Sequence, residues 1–233
     1  MRTVSDIFEN ALKEGRTYLL EPEAKTVCSI YGIPVTHFKV AKTAEEAIEA
    51  AEEIGYPVVL KVISPQIIHK SDVGGVAINL DSPTRVREAY VQIIENVKKH
   101  EPAAKVLGVL VEEMAPSPSV EVIVGANLDP QFGPMIMFGL GGIFVAVSTG
   151  VTFRNAPITE ADAREMLTEI KGYKLLMGYR GRPPADTEAI INILLNTSRL
   201  VTEHEEIKEL DLNPIFVYKK GAKTVDARIL LKL

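Results

Sequence analysis

The apolar residues in the first part of the chain predict helices alternating with strands. Val4, Ile7 and Ala11 recur at helical spacing up to Gly15, which is typical of an amphipathic helix. A second helix is predicted to begin at Pro22, a residue favoured in the first helical turn. The elements predicted after it are a strand over 35–40, a helix over 43–55, a buried strand over 58–63, a loop over 64–75, a strand over 76–80 and a helix beginning at 83.

Beyond residue 105 the pattern changes to short, closely spaced strands separated by Pro and Gly, which indicates a region rich in sheet. The elements predicted here are strands over 106–112, 120–125, 135–138 and 143–147, helices opened by Thr159 and Asp186, and a terminal hairpin over 208–218 and 224–231. We therefore expect a helical segment over 1–20 and two α/β lobes, 21–105 and 106–233. Because ligands often bind between lobes, we expect a shared cleft to be the binding site.

The composition argues against several classes of partner. A net charge of −5 and a pI near 5.5 provide no broad basic surface to attract nucleic acid or an anionic membrane. The apolar runs are shorter than a bilayer span, and the first residues do not resemble a signal peptide. The single cysteine, Cys28, can form neither an internal disulfide nor a thiolate metal cage. These features favour a cytoplasmic protein with no membrane segment.

A histidine and two adjacent glycines occupy the loop between the strands predicted over 58–63 and 76–80. Backbone N–H groups at Gly74 and Gly75 can approach phosphate oxygens because no Cβ blocks the contact. A nitrogen of His69 can act as a nucleophile and carry a phosphoryl group. The alternative is a tight turn with an incidental histidine, and a single motif does not decide between the two.

Charged residues interrupt two apolar strands. Lys61 lies within the strand over 58–63, where its charge must be matched, either by a bound phosphate or by solvent at a sheet edge. Glu112 and Glu113 end the strand that begins at 106, where they could accept hydrogen bonds from an adenine or a ribose. The alternative for both glutamates is an ordinary solvated strand end.

The terminal hairpin contains a candidate Mg²⁺ site. Asp211 and Asn213 are two residues apart on one strand and therefore face the same side, and Asp226 on the partner strand falls nearly opposite. Oxygen ligands of this kind suit Mg²⁺, which also binds the phosphates of a nucleotide. The alternative is that these side chains simply face water beside a kink at Pro214.

Several motifs, taken in order, closely resemble the ATP-grasp β subunit of archaeal ADP-forming acetyl-CoA synthetases, a family related to the β subunit of succinyl-CoA synthetase. The motifs are Glu21-Pro22-Glu23-Ala24-Lys25, Tyr56-Pro57-Val58-Val59-Leu60-Lys61, the loop from His69 to Gly75, Asp129-Pro130-Gln131-Phe132-Gly133-Pro134, residues 138–144, and Leu210-Asp211-Leu212-Asn213-Pro214 with Asp226-Ala227-Arg228. The resemblance covers essentially the whole chain. It implies an ATP-grasp fold of two α/β lobes with the nucleotide cleft between them.

The resemblance also implies a reaction in which acyl-CoA, ADP and phosphate are converted to a carboxylic acid, CoA and ATP. In this family a histidine of the α subunit takes the phosphoryl group first, and the histidine matching His69 carries it to the nucleotide. A loop with possible hinges at Ser64-Pro65 and at the two glycines is expected to move between the two sites. The other roles implied are phosphohistidine stabilisation for Asp211, magnesium binding for Asn213 and Asp226, nucleotide-phosphate binding for Lys61 and a phosphate cradle for Gly74 and Gly75.

A CoA-binding α subunit is implied as the partner, in a heterotetramer of two α and two β subunits, because no CoA-binding motif occurs in this chain. The chain departs from the family pattern at Ser119-Val120, Ala146 and Thr149-Gly150. These departures leave open a noncatalytic subunit, or one of altered specificity, in a paralogous complex. Two further alternatives are a regulatory module and an ATP-grasp carboxylate–amine ligase, but the latter gives His69 no role.

Overall fold

The computed structural model describes residues 3–142, 150–179, 181 and 183–232. The contacts divide the chain into two compact units. Unit 1 comprises Met1–Val35 and Pro116–Leu233, and unit 2 comprises Thr36–Ala115. Each unit has its own apolar core.

These units differ from the lobes expected over 21–105 and 106–233, and the difference arises at both boundaries. Residues of the second helix, Ala24 and Val27 among them, are buried in the core of unit 1. The strand beginning at Gly108 pairs with two strands of unit 2. The contact-based units therefore place both boundaries differently from the expected lobes, because pairing and packing partners distant in sequence decide which core a segment joins.

Helices and strands are formed largely where the hydrophobic pattern predicts them. In chain order the elements are α1 (Val4–Lys13), α2 (Glu21–Ile30), β1 (Phe38–Ala41), α3 (Ala44–Ile54), β2 (Val58–Ile63), β3 (Val76–Leu80), α4 (Pro83–His100), β4 (Gly108–Glu113), β5 (Val120–Asp129), β6 (Gly133–Leu140), β7 (Val151–Asn155), α5 (Glu160–Glu169), α6 (Tyr173–Leu176), α7 (Thr187–Glu203), β8 (Ile207–Val217), β9 (Ala222–Thr224) and β10 (Ala227–Leu231). The predicted caps at Thr159 and Asp186 accept backbone N–H groups of α5 and α7.

Several elements depart from the expectation. The strand predicted over 35–40 begins only at Phe38, because Val35 forms a bridge with Thr224 in unit 1. The strand predicted over 224–231 is divided into β9 and β10. The short helix α6 and the short strand β7 were not predicted, and the strand expected over 143–147 lies outside the described residues. No helix in the described part of the chain is both long enough and apolar enough to cross a bilayer.

Unit 2 is a four-stranded antiparallel sheet in the order β1-β4-β2-β3, with α3 and α4 packed on it. All six residues of β2 are buried, since this strand lies inside the sheet and apolar side chains of α3 and α4 share its core. The structure therefore excludes the edge position considered for Lys61.

Unit 1 is built on a second antiparallel sheet in the order β10-β8-β5-β6-β7, with β9 paired to β8. Side chains alternate between its two faces. The inner face carries Val122, Val124, Phe138, Leu210 and Leu212, which are buried against the helices. We refer to the opposite surface as the outer face. Its residues include Ile123 and Gly125 of β5, Met135, Met137 and Gly139 of β6, Val151 and Phe153 of β7, Glu209, Asp211 and Asn213 of β8, and Arg228 of β10.

Candidate functional site

The predicted site residues fall into two groups, and each group lies within one unit. Unit 2 contains Lys61, His69, Gly74, Gly75, Glu112 and Glu113, whereas unit 1 contains Asp211, Asn213 and Asp226.

Lys61 and Glu112 form a buried ion pair between β2 and β4. The Nζ atom of Lys61 lies 2.6 Å from Oε1 of Glu112, and the hydroxyl of Thr36 donates to Oε2 of the same carboxylate at 2.8 Å. Glu112 is only 1% exposed, so the solvated strand end considered for it is wrong. A buried charge requires a partner of this kind, because burial without one costs several kcal/mol.

The sequence did not indicate Thr36 as a contributor, and it did not pair Lys61 with Glu112. Both contacts arise because β1 and β2 flank β4 in the sheet. The neighbouring Glu113 also has a local role, since its Oε1 accepts the backbone N–H of His37 at 2.8 Å. The end of β4 is thus fixed by polar contacts on both of its glutamates.

His69 immediately precedes a short 3₁₀ turn, Lys70–Val73, and is exposed to solvent. The N–H of Gly74 donates to the carbonyl of Ser71 at 3.1 Å, and the N–H of Gly75 donates to that of Lys70 at 2.7 Å. Both glycine N–H groups therefore bond within the turn, whereas the sequence led us to expect them at a phosphate. The exposed imidazole is placed where it can meet a second reactant.

The backbone of the turn explains why glycine is needed at both positions. Gly74 has φ of +63°, a left-handed conformation that glycine adopts without strain. A Cβ on Gly75 would lie 2.5 Å from Cγ1 of Val62 and 2.9 Å from the carbonyl oxygen of Lys70. The side chain of Asn96 on α4 donates to the Gly74 carbonyl at 3.1 Å, so the turn is tied to the helix beside it.

The predicted site residues of unit 1, which we call the acidic group, are Asp211, Asn213 and Asp226. They lie where β8 meets β10. Asp211 is opposite Arg228 in the ladder, and the N–H of Asn213 donates to the carbonyl oxygen of Asp226 at 3.2 Å. Leu210, Leu212 and Ile215 are buried, as predicted for the other side of the strand. Asp211 and Asn213 thus lie on the outer face, and the backbone hydrogen bond holds Asp226 beside Asn213.

Burial raises the pKa of the Asp211 carboxyl, and the nearby charge of Glu209 raises it further, while Arg228 opposes the shift. Among the described residues, no group of three or more His, Cys, Asp and Glu side chains is arranged to hold a metal ion. The predicted set contains only two carboxylates together with one amide. Any cation held there would need additional ligands from water or from a bound phosphate.

A cavity of about 270 Å³ opens elsewhere in unit 1, between the start of β8 and the hairpin of β5 and β6. It is lined by Leu128, Pro134, Ala156, Val201, Thr202, Glu205, Ile207 and Lys232. None of the predicted site residues belongs to it.

Comparison with known proteins first defines the class. The protein-family model that describes the ATP-grasp domain matches residues 10–231, which is nearly the whole chain. Helices packed on antiparallel sheets, in two units, therefore form an ATP-grasp fold, as the sequence predicted.

Individual relatives narrow the class. The chain is 54% identical to the β subunit of ADP-forming acetate–CoA ligase II from Pyrococcus furiosus, over 97% of each chain. It is 52% identical to the β subunit of ligase I from the same organism, also over 97% of each. The dinucleotide forming acetyl-coenzyme A synthetase 1 of Candidatus Korarchaeum cryptofilum, solved with coenzyme A, Ca-AMPCP and HgCl⁺, matches with a TM-score of 0.95 and 54% identity, over 99% of this chain and 100% of that one. This chain belongs to the family of ADP-forming acetate–CoA ligase β subunits.

Proposed function

We propose that this chain is the nucleotide-binding β subunit of an ADP-forming acyl-CoA synthetase. The reaction is acyl-CoA plus ADP plus phosphate in exchange for a carboxylic acid, ATP and CoA. The observation that carries the proposal is the 54% identity to a ligase β subunit over 97% of both chains. We also propose that the protein is cytoplasmic and that the partner subunit selects the acyl group.

His69 is proposed as the carrier of the phosphoryl group. In the ATP-consuming direction, an imidazole nitrogen attacks the γ-phosphorus, the new P–N bond replaces the P–O bond to the β-phosphate, and ADP leaves. The exposed position of His69 before the 3₁₀ turn supports this role. So do two structures of the Korarchaeum enzyme: one holds a phosphorylated phosphohistidine segment, and in the other that segment points towards the nucleotide binding site. Movement of the His69 loop is part of the proposal.

Asp211 is proposed to stabilise the phosphorylated histidine by accepting a hydrogen bond from its ring N–H. Asn213 and Asp226 are proposed as ligands of Mg²⁺, and their oxygen atoms are of the type that this hard cation prefers. Mg²⁺ bound with a nucleotide neutralises phosphate charge. The Korarchaeum enzyme has been solved with Mg-AMPPCP, which supports nucleotide and magnesium binding in the family.

Lys61 is proposed to bind the phosphates of the nucleotide, and the structure suggests how it is held for that role. Its ammonium group is fixed by the carboxylate of Glu112, which Thr36 holds from the other side. The ion pair gives this largely buried ammonium group a polar partner. Glu112 and Glu113 remain proposed nucleotide contacts at the end of β4.

The proposed partner is a CoA-binding α subunit, in an assembly of two α and two β subunits. The description of the Pyrococcus relatives as β subunits supports a partner.

The alternative to a catalytic β subunit is a noncatalytic or altered-specificity subunit, which the departures from the family pattern favour. Ser119 immediately precedes β5 and its N–H donates to the carbonyl oxygen of Val217, while Val120 is the first residue of the strand. Ala146 and Thr149 lie outside the described residues.

The decisive experiment is phosphoryl labelling from γ-labelled ATP with Mg²⁺, with and without the α subunit. We expect an acid-labile label on the chain that is lost in His69→Ala. The matched control is His100→Ala, which removes another exposed histidine of unit 2 and should leave the label unchanged. Nucleotide binding without any label would favour the noncatalytic subunit. A label that persists in His69→Ala would contradict the carrier role.

A further inference from the structure

One row of cross-strand neighbours on the outer face runs through Asp211. Its members are Arg228, Asp211, Gly125, Met137 and Phe153, one from each of the strands β10, β8, β5, β6 and β7. Neighbouring strands are ~5 Å apart. Only the glycine therefore separates Met137 from Asp211 along this row.

The side chain of Met137 covers the space that the glycine leaves. A Cβ on Gly125 would lie 3.0 Å from Cε of Met137, so the end of the methionine side chain extends over the glycine. Because Gly125 lies between Met137 and Asp211, the methyl group lies on the side of β6 that faces the carboxylate. The half-buried Asp211 thus has an apolar neighbour on the β5 side and the charged Arg228 on the other.

The adjacent row repeats this arrangement. Gly139 is opposite both Ile123 and Val151, and a Cβ on it would lie 3.4 Å from Cγ1 of Ile123 and 2.8 Å from Cγ1 of Val151. Ile123 is only 6% exposed although it lies on the outer face. Large apolar side chains therefore lie against both glycines, in two adjacent rows of the sheet face that carries Asp211.

We propose that Met137 is a positioning residue that excludes water from a phosphoryl group held beside Asp211. The inference rests on the proposed function, because it assumes a phosphohistidine served by Asp211. Water is a competing acceptor for such a group. Its oxygen can attack phosphorus, the P–N bond then breaks, the ring nitrogen takes up a proton derived from the water, and inorganic phosphate is released. An apolar surface provides no hydrogen bonds to hold that water in place.

The test measures how long the labelled chain keeps its phosphoryl group when ADP and the α subunit are absent. Met137→Gln preserves the length of the side chain but adds groups that can bind water, and we expect label to be lost on the order of ten times faster than from the wild type. Met137→Leu, which remains apolar, should keep nearly the wild-type lifetime. Met135→Gln is the matched control. It places the same change on the same strand and face, about 7 Å away, beside Asn127 and Asn155.

The outcomes separate this inference from the proposed function. A wild-type chain that takes up no label would overturn both. A labelled wild type whose Met137→Gln variant loses label at the wild-type rate would overturn the inference alone. Equal acceleration in Met135→Gln would also overturn it, since the effect would then belong to the whole face. Urea unfolding of each variant shows whether a faster loss merely reflects lower stability.

Discussion

The ion pair between Lys61 and Glu112 allows a quantitative prediction. Lys61→Met keeps most of the apolar stem but removes the ammonium group 2.6 Å from a carboxylate that is 1% exposed. Removing one partner of a buried pair typically costs ~3–5 kcal/mol, because the remaining charge stays buried without its counterion. With an m-value of about 2 kcal/mol per molar urea, a loss of ~4 kcal/mol lowers the unfolding midpoint by about 2 M.

The assay is urea denaturation at pH 7 followed by far-UV circular dichroism. Arg87→Met provides the matched control, since it removes a cation of unit 2 whose pair with Glu45 lies at the surface, with side chains 52% and 65% exposed. Exposed pairs contribute at most ~1 kcal/mol, so this variant should unfold close to the wild type. The double variant Lys61→Met/Glu112→Leu should recover much of the loss, because it removes the buried charge as well.

The reasoning would be refuted if Lys61→Met unfolded within ~1 kcal/mol of the wild type, the cost expected of a surface pair. Failure of the double variant to recover stability would also contradict it, because the loss would then not come from a buried, uncompensated carboxylate. A further measurement separates stability from ligand binding. If Lys61 also holds nucleotide phosphates, Lys61→Met should weaken ATP binding, while Arg87→Met should not.

Two further predictions concern a helix cap and the histidine turn. The N–H groups of Gly221 and Ala189 donate to Asp186 and lower the pKa of its carboxyl, so Asp186→Ala should cost ~1–2 kcal/mol at pH 7, measured by urea denaturation. The stabilisation is fully present above the unfolded pKa of ~3.9 and is lost as pH falls through the lowered folded value, so the two proteins should differ less at pH 3. Gly75→Ala should cost ~1–3 kcal/mol in the same assay, because its Cβ would meet Val62 at 2.5 Å.

Each of these predictions has its own control. Asp186→Asn keeps an acceptor for the helix but loses the charge, so its stability relative to Asp186→Ala should not depend on pH. A deficit of Asp186→Ala as large at pH 3 as at pH 7 would contradict the ionic contribution. For the turn, Gly75→Ala should cost less when Val62→Ala is already present. Independent, additive effects would show that the two residues do not clash.

Much of the fold follows from local patterns in the sequence. The apolar run of β2 was predicted with its observed bounds, Val58–Ile63, because a continuous buried strand has few alternatives of that length. The starts of α5 and α7 follow from the capping side chains of Thr159 and Asp186. β7 was not predicted although its first four residues, 151–154, alternate apolar and polar side chains, because a strand of five residues is too short for that alternation to stand out. The structure also places its apolar Val151 and Phe153 on the more exposed face.

Part of the candidate site, like part of the fold, could also be predicted from local patterns in the sequence. The sequence by itself determined which residues could do chemistry: His69 as a nucleophile, Lys61 as a cation within an apolar strand, and the oxygen-bearing side chains of Asp211, Asn213 and Asp226. It also placed Asp211 and Asn213 on one face of a strand, because side chains alternate with a period of two. These inferences need only residue types and spacings within one segment.

Only the tertiary structure decided how residues far apart in the chain meet. Glu112 and Lys61 become a buried pair because β4 lies beside β2, and Gly125 and Met137 join Asp211 because β5 and β6 follow β8 across the sheet. Strand order and register depend on the packing of whole faces against a core, and no local pattern encodes that. The sequence therefore determined the chemical groups, whereas the fold determined their neighbours.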